Sequence, residues 1–238
     1  MLRPSLRRPA VLGILCSLVL GMAGAPAPEW KRVVYEQDFS RPESLKELRV
    51  TDPRAWRWSE TGGGALELFQ QSKYQAPVRS PFNLALLSKH RFRDFVLELE
   101  CQQTSQEYGH RDLCFFFGLQ SPTRFYYAHL ATSADNHAHN IFRVNETPRV
   151  KVGTETTRGV AWGATNQWHK IRIERNADDG TIRVFFNDMT RPVMAAQDKT
   201  FLEGYVGLGS FDDVGRFRRL RLEGTAVDGA GGAFYTAF

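Results

Sequence analysis

Polar and apolar residues alternate with a period of two along most of the chain, the pattern of strands buried on one face. The clearest stretch is Phe92 to Cys101, where Phe95, Leu97, Leu99 and Cys101 point one way and Asp94, Glu98 and Glu100 the other. Strand patterns also cover 32–39, 56–60, 65–69, 112–119, 125–131, 139–145, 168–175, 181–187, 205–210 and 217–223. Turn chemistry separates them: Thr61-Gly62-Gly63-Gly64, Ser121-Pro122-Thr123, and Asn176 to Gly180 ending in Asp179-Gly180. Glu43 to Leu48 reads as a short helix. About eleven short strands in hairpin reach of one another predict an all-β fold, an antiparallel sandwich or barrel. Parity assigns Leu113, Phe115, Phe117 and Leu119, then Tyr126, Ala128 and Leu130, then Phe142 and Val144 to the core. Trp168, Ile171, Ile173, Phe185 and Leu208 join them.

The N-terminus breaks this pattern. Arg3, Arg7 and Arg8 precede an apolar run from Ala10 to Leu20, and Ala23-Gly24-Ala25 supplies the small residues of a cleavage site. Residues 1–25 therefore read as a signal peptide, and the protein as exported, periplasmic or extracellular. The run falls short of the ~20 residues a bilayer span needs, so no membrane insertion is expected after cleavage. Ile14-Leu15 before Cys16 does not suit a lipid anchor. Residues 26–223 are expected to form one sandwich domain, and 224–238, rich in Gly and Ala, a loose tail.

Cleavage alters the charge argument. The formal +5 comes from 31 basic and 26 acidic residues; removing three arginines leaves 28 against 26, or +2. Such a balance does not point to nucleic acid as a partner. Arg216, Arg218, Arg219 and Arg221 alternate with Phe217, Leu220 and Leu222, as a solvated strand face does. Cys101 and Cys114 lie within hairpin reach in an oxidising compartment, but parity puts them on different faces, so pairing stays open. Asn145-Glu146-Thr147 is a formal glycosylation acceptor.

Leu87 to Leu99 (LSKHRFRDFVLEL), WHKIRIER, TIRVFFND and GYVGLGSFDDVGRFRRLRL, in this order, resemble the 3-keto-disaccharide hydrolase-like domains of the concanavalin A-like lectin/glucanase superfamily. The resemblance runs from about Val33 to Glu223. It implies a jelly-roll sandwich of two antiparallel sheets, with the ligand groove on a concave face. It also implies binding or cleavage of glycosides, in some members oxidised at the 3-position. The chain departs from the family pattern at Tyr108 to Gly118 (YGHRDLCFFFG), where many members have a glycine-rich strand ending in arginine.

Four of the six histidines fall between positions 110 and 139. Parity on three successive strands puts His110, Asp112, Tyr127, His129, His139 and Arg143 on one patch, opposite the expected core. Cleaving a 3-keto glycoside by elimination begins with proton removal beside the ketone, for which histidine is a suitable base. The resulting enolate needs a cation, which Arg143 or a divalent metal ion would supply. The candidate catalytic set is thus His110, Asp112, His129, His139 and Arg143, with Tyr127, Asn145 and Trp162 as sugar contacts. Asp135, His137 and His139 alternate and would project together as ligands for zinc, manganese or a related ion. Asp38, Asp212 and Asp213 are candidates for a structural calcium, with turn capping as the competing role. No Glu-x-Asp-x-x-Glu glucanase signature, Gly-x-Ser-x-Gly elbow, Walker loop or Cys-x-x-Cys site occurs.

The expected partner is thus a carbohydrate or glycoside. The chain is either a glycoside-cleaving enzyme or a non-catalytic lectin-like module that binds carbohydrate or a partner surface. Convergent histidines would favour the first and a flat aromatic strip the second. Mass spectrometry of exported material should find a mature N-terminus near Pro26, and a full-length chain held in the cytoplasm would overturn the export reading.

Overall fold

The structure is a computed structural model, and its described residues are 29–230 and 232. The segment 1–25 lies outside them. Sixteen strands are present among the described residues: β1 Lys31–Gln37, β2 Arg49–Val50, β3 Trp56–Ser59, β4 Ala65–Leu68, β5 Asn83–Leu86, β6 His90–Gln103, β7 Asp112–Ser121 and β8 Arg124–Ala131. These are followed by β9 Asn140–Asn145, β10 Val150–Lys151, β11 Gly153–Thr156, β12 His169–Arg175, β13 Thr181–Phe186, β14 Met194–Gln197, β15 Tyr205–Ser210 and β16 Gly215–Asp228. The expected short helix is a 3-10 turn at Pro42–Glu47, opened by its proline. Among the described residues no helix is long and apolar enough to cross a membrane.

Two antiparallel sheets are stacked. One has nine strands in the order β11-β14-β13-β12-β6-β16-β4-β3, with β1 added on β16. The other has seven, in the order β10-β9-β8-β7-β15-β5-β2. The β12–β13 hairpin turns at Asn176–Gly180, where Gly180 takes the left-handed backbone (φ 85°) that suits glycine. Between the sheets lies one apolar core. It joins Leu97, Leu99, Ile171, Ile173, Val184 and Phe217 of the larger sheet to Leu113, Phe115, Phe117, Tyr126, Ile141 and Leu208 of the smaller.

Several strand faces differ from expectation. In β7 the pairing with β8 shifts register between Phe117 and Ser121, around Gly118 (φ 55°), and the bulge moves Leu119 to the opposite face. Phe142 and Val144 also face away from the inter-sheet core, because their partners are Tyr127 and Phe125. On β13 the core set is Ile182, Val184 and Phe186, so Phe185 faces outward, beneath the Arg172 guanidinium. Trp168 lies before β12, half-buried, with the Arg218 guanidinium 3.9 Å above its ring. The final strand continues to Asp228 with Ala226 in the core, so the region after Glu223 begins as strand rather than tail. Cys101 belongs to the inter-sheet core and Cys114 to the other face; both are free thiols.

Ile173 is fully buried between the sheets, so Ile173→Ala should lose about 2–5 kcal/mol in urea unfolding. Trp168→Ala should lose less than half as much. Equal losses would contradict the strand faces described above.

Candidate functional site

The seven-stranded sheet is buried on both faces. Its outer face carries a second apolar layer, including Leu84, Cys114, Phe116, Phe125, Tyr127 and Phe142, all from this sheet alone. The connection between β4 and β5 lies across this layer. Val78 packs on it, the Arg79 carbonyl accepts the Arg149 N–H at 3.3 Å, and the Phe82 ring meets Phe211 at 6.2 Å. Arg149 in turn lies over the rings of Phe211 and Phe142, at 4.4 and 5.3 Å. The face expected to be an open groove is therefore covered where Tyr127 and His129 stand.

Beneath this cover Asp112, Cys114 and His129 form a buried polar node. Asp112 and Cys114 are two apart on β7 and so share a face, and Cys114 is registered opposite His129 of β8. His129 Nε2 stands 3.1 Å from Asp112 Oδ2, off the direction a hydrogen bond needs, so neither ring nitrogen has a hydrogen-bond partner. Asp112 Oδ2 accepts the Phe211 N–H at 3.0 Å and the Cys114 thiol at 3.1 Å, whereas Oδ1 is buried and unpartnered. The Phe211 ring stacks on the His129 ring at 6.2 Å and 15°. Burial works to raise the Asp112 pKa, but His129 and the two donors outweigh it and hold the carboxyl below its ordinary value. Burial and the Asp112 charge together push Asp213 up to about 6. Asp213 Oδ2 accepts the Asp112 N–H at 2.7 Å and the Tyr108 hydroxyl at 2.8 Å.

Above the node, at the strand ends, the surface is polar and open. His110 Nε2 lies 2.6 Å from Asp135 Oδ2, with both side chains about half exposed. Tyr108 keeps 44% of its surface exposed, and Asp212 is exposed beside it. The segment from Thr132 to His139 is a run of bends organised by Asp135, whose Oδ1 accepts the His137 and Ala138 N–H groups. Arg149 joins the same edge through the His137 carbonyl at 3.0 Å. A cleft of 450 Å³ lies alongside, between Glu107 and Arg111 on one flank and Arg158 to Gly163 on the other. Thr132 is part of its lining, and its hydroxyl is buried without a partner.

The sequence-predicted residues divide accordingly. Asp112, Tyr127 and His129 share a face as expected, but they are buried and do not line a groove. His110 is open and pairs with Asp135 rather than with His129. His139 has a left-handed backbone (φ 50°) just before β9, so strand parity does not reach it. It is buried, bonded to Thr157 Oγ1 at 2.9 Å through Nε2 and accepting the Ala131 N–H at 3.4 Å through Nδ1. Arg143 shares the Tyr126 face and bonds Asp198 at 2.7 Å and Thr200 at 2.8 Å, away from the node.

The sugar contacts also move. Trp162 is almost fully buried, with its indole N–H on the Arg111 carbonyl, and it reaches the surface only as part of the wall of the 450 Å³ cleft. Asn145 sits five residues along the β8–β9 ladder from the His129 pair, about 17 Å away, bonded to Arg124.

Neither expected metal set survives intact. Asp135 and His139 already hold other partners and the chain between them bends, so Asp135, His137 and His139 do not project together. Asp38 caps Ser40 on the surface, while Asp212 and Asp213 gather with Asp112 instead. Among the described residues, ligand atoms lie within 4.8 Å of one another in two sets: Asp112 with Cys114 and His129, and Asp112 with Asp212 and Asp213.

No protein-family model matches the sequence, and a search of curated proteins finds no match. Solved structures do match. A winged bean acidic lectin aligns over 83% of this chain and 99% of its own, with 11% identity and a TM-score of 0.56. A carbohydrate-binding module from Bacillus subtilis aligns over 74% and 95%, with 17% identity and a TM-score of 0.51. The GH43 protein BlXynB from Bacillus licheniformis aligns over 81% of this chain and 39% of its own, with 10% identity and a TM-score of 0.54. The fold is the jelly-roll sandwich of the lectins. At these identities the likeness speaks for the fold alone, and the lectin-like sandwich is shared by binders and by glycosyl hydrolase structures alike.

Tyr108, Arg149 and Phe211 belong to the site without having been singled out in the sequence, and Cys114 was weighed there only for a disulfide. Cys114 was legible through its i, i+2 spacing from Asp112; the other three are brought in by loops, for which periodicity gives no signal.

Burial, then the neighbouring His129 charge, lowers the His139 pKa from 6.5 to about 4. The unfolded chain takes up this proton near its ordinary value and the folded chain only near the lower one. Stability is therefore fully present above about pH 6.5 and is lost as pH falls toward about 4, by roughly 2–3 kcal/mol. Urea unfolding across that window should show the loss, and His139→Asn, suited to a left-handed backbone, should flatten it. An identical slope in the two proteins would mean that His139 is not held neutral by the fold.

Proposed function

We propose that this is an exported carbohydrate-binding protein whose ligand sits at the strand ends of the seven-stranded sheet, against Tyr108, His110, Asp135 and Asp212. The observation that carries the reading is the exposed pairing of His110 with Asp135 beside the open Tyr108 ring and the 450 Å³ cleft. Sugars are held by fixed polar groups that meet their hydroxyls and by an aromatic ring against their C–H face, and this edge offers both. The covered outer face argues against a ligand lying across the middle of the sheet. The lectin and carbohydrate-binding-module relatives in fold make a sugar the first ligand to test.

A second reading rests on the same pair. An imidazole oriented by a carboxylate through one ring nitrogen leaves the other free to accept a proton, the arrangement a base needs. If a 3-keto glycoside binds here, His110 is the residue to remove its proton, in place of the buried His129 and His139. The 3-keto-disaccharide hydrolase resemblance suggests that substrate class.

Glycan-array screening followed by calorimetry separates the readings. Asp135→Asn, which keeps an oxygen to accept the His137 and Ala138 N–H groups, should weaken binding of the best glycan by about tenfold, roughly 1.4 kcal/mol, with little change in melting temperature. A binding protein leaves every glycoside and 3-keto glycoside intact. An enzyme consumes one of them, and His110→Ala stops turnover while retaining affinity. Unchanged affinity in Asp135→Asn would remove the ligand from this edge.

A further inference from the structure

We propose that Asp112, Cys114 and His129 form a three-ligand metal site of zinc type, with the fourth position left to water. The site is independent of whether the edge above it binds sugar.

Three features carry this. First, the donor set is mixed: one carboxylate oxygen, one thiol sulfur and one imidazole nitrogen, each within 4.8 Å of the others. A carboxylate, a thiolate and an imidazole together suit a borderline-soft ion that prefers four ligands, zinc above calcium or magnesium. Zinc bonded at about 2.0 Å to N and O and about 2.3 Å to S holds its ligand atoms about 3.3–3.7 Å apart. The 3.1 Å separations of Cys114 Sγ and His129 Nε2 from Asp112 Oδ2 would need to open by only about half an ångström.

Second, the node is short of partners. Both ring nitrogens of His129 and Asp112 Oδ1 are buried without a hydrogen bond, while the two side chains are 95% and fully buried. Native interiors rarely leave such groups unpaired, because each costs about 1–3 kcal/mol. An ion held by Asp112 Oδ2, Cys114 Sγ and His129 Nε2 gives one of these ring nitrogens its partner.

Third, the ligands are already held. Phe211 N–H donates to Asp112 Oδ2, Asp213 accepts the Asp112 backbone N–H, and the Phe211 ring lies flat against His129. Outer contacts of this kind fix ligand orientation in metal sites. Asp212 and Asp213 form the second set of neighbouring oxygens with Asp112, and the exposed Asp212 marks the solvent side of the node. On binding, the Cys114 S–H bond breaks, its proton leaves to solvent, and the sulfur lone pair forms the metal bond; no oxidant or reductant is involved.

The test uses the mature full chain, freed of metal with a chelator and titrated with cobalt(II) and then zinc. One equivalent of cobalt should give a thiolate-to-metal charge-transfer band, which zinc displaces, and zinc should raise the melting temperature. Cys101, the other buried free thiol, supplies the control: Cys101→Ala should keep the band and Cys114→Ala should lose it. Cobalt affinity in Cys114→Ala should fall by at least about a hundredfold, beyond the cost of losing an outer partner. Should Cys114→Ala fail to fold, the parent protein decides: a charge-transfer band with one equivalent supports the site, and its absence overturns it. A band surviving in folded Cys114→Ala overturns it as well.

Discussion

The burial of the seven-stranded sheet on both faces governs the rest of this structure. An antiparallel sheet in a two-layer sandwich usually packs one face and wets the other. Here the outer face carries Leu84, Phe116, Phe125, Tyr127 and Phe142, and the β4–β5 connection with Phe211 and Arg149 covers them. Apolar side chains on that face would otherwise form an exposed patch. Once they are covered, polar chemistry has two places left: sealed beneath the cover, as at Asp112 and His129, or at the strand ends, as at His110 and Asp135. The site's position is thus a consequence of the packing.

The buried node also joins the two sheets. Asp112 begins β7 in the seven-stranded sheet, and its side chain and N–H hold Phe211 and Asp213, the short link from β15 of that sheet to β16 of the other. Ser210 and Asn83 extend the network: Asn83 donates to Ser210 Oγ at 3.1 Å and accepts the Ser72 N–H at 2.6 Å, which ties down the start of the covering segment. Several charges sit close together here, and the result is visible in Asp213, whose pKa burial and the Asp112 charge push up to about 6. A buried carboxylate is costly unless its oxygens are satisfied. One oxygen of Asp112 has its donors and the other has none, and both ring nitrogens of the adjoining His129 also lack a partner.

The same double burial explains which expectations failed. Alternation tells an inner face from an outer one when only one of them is apolar. It worked on β6, β12 and β8, where Leu97 and Leu99, Ile171 and Ile173, and Tyr126 and Ala128 do face the inter-sheet core. On β9 both parities are apolar, Ile141 inward and Phe142 with Val144 outward, and hydrophobicity alone selected the wrong pair. That one inversion carried Arg143 into a patch it does not occupy. The left-handed backbone at His139 and the bulge at Gly118 are further local departures from period two. The sandwich, the DG hairpin and the Asp112–His129 contact were legible because each rests on regular alternation. The His110–Asp135 pair, Tyr108 and Phe211 were not, because bends and loops bring them together.

The open edge, although built from loops, is not loosely held. Arg111 is buried and spends its guanidinium on three carbonyl oxygens: Gln103 Oε1 at 2.8 Å, the Gln103 backbone at 2.9 Å and the Gly163 backbone at 2.9 Å. Its own carbonyl accepts the Trp162 indole N–H at 3.0 Å and the Thr132 N–H at 3.2 Å. One residue therefore binds the loop carrying Tyr108 and His110 to the opposite flank of the cleft and to the strand from which that loop leaves. Burial lowers the Arg111 pKa, but arginine stays charged, and charge-assisted bonds of about 1.5–3 kcal/mol each offset the desolvation. Lysine has one nitrogen where this geometry uses three, so it could not hold both flanks at once. A fixed cleft lets a weakly binding ligand keep most of its interaction energy, since little is lost to ordering the loops. Arg111 would in this way bear on the affinity of any ligand bound at this edge without touching it.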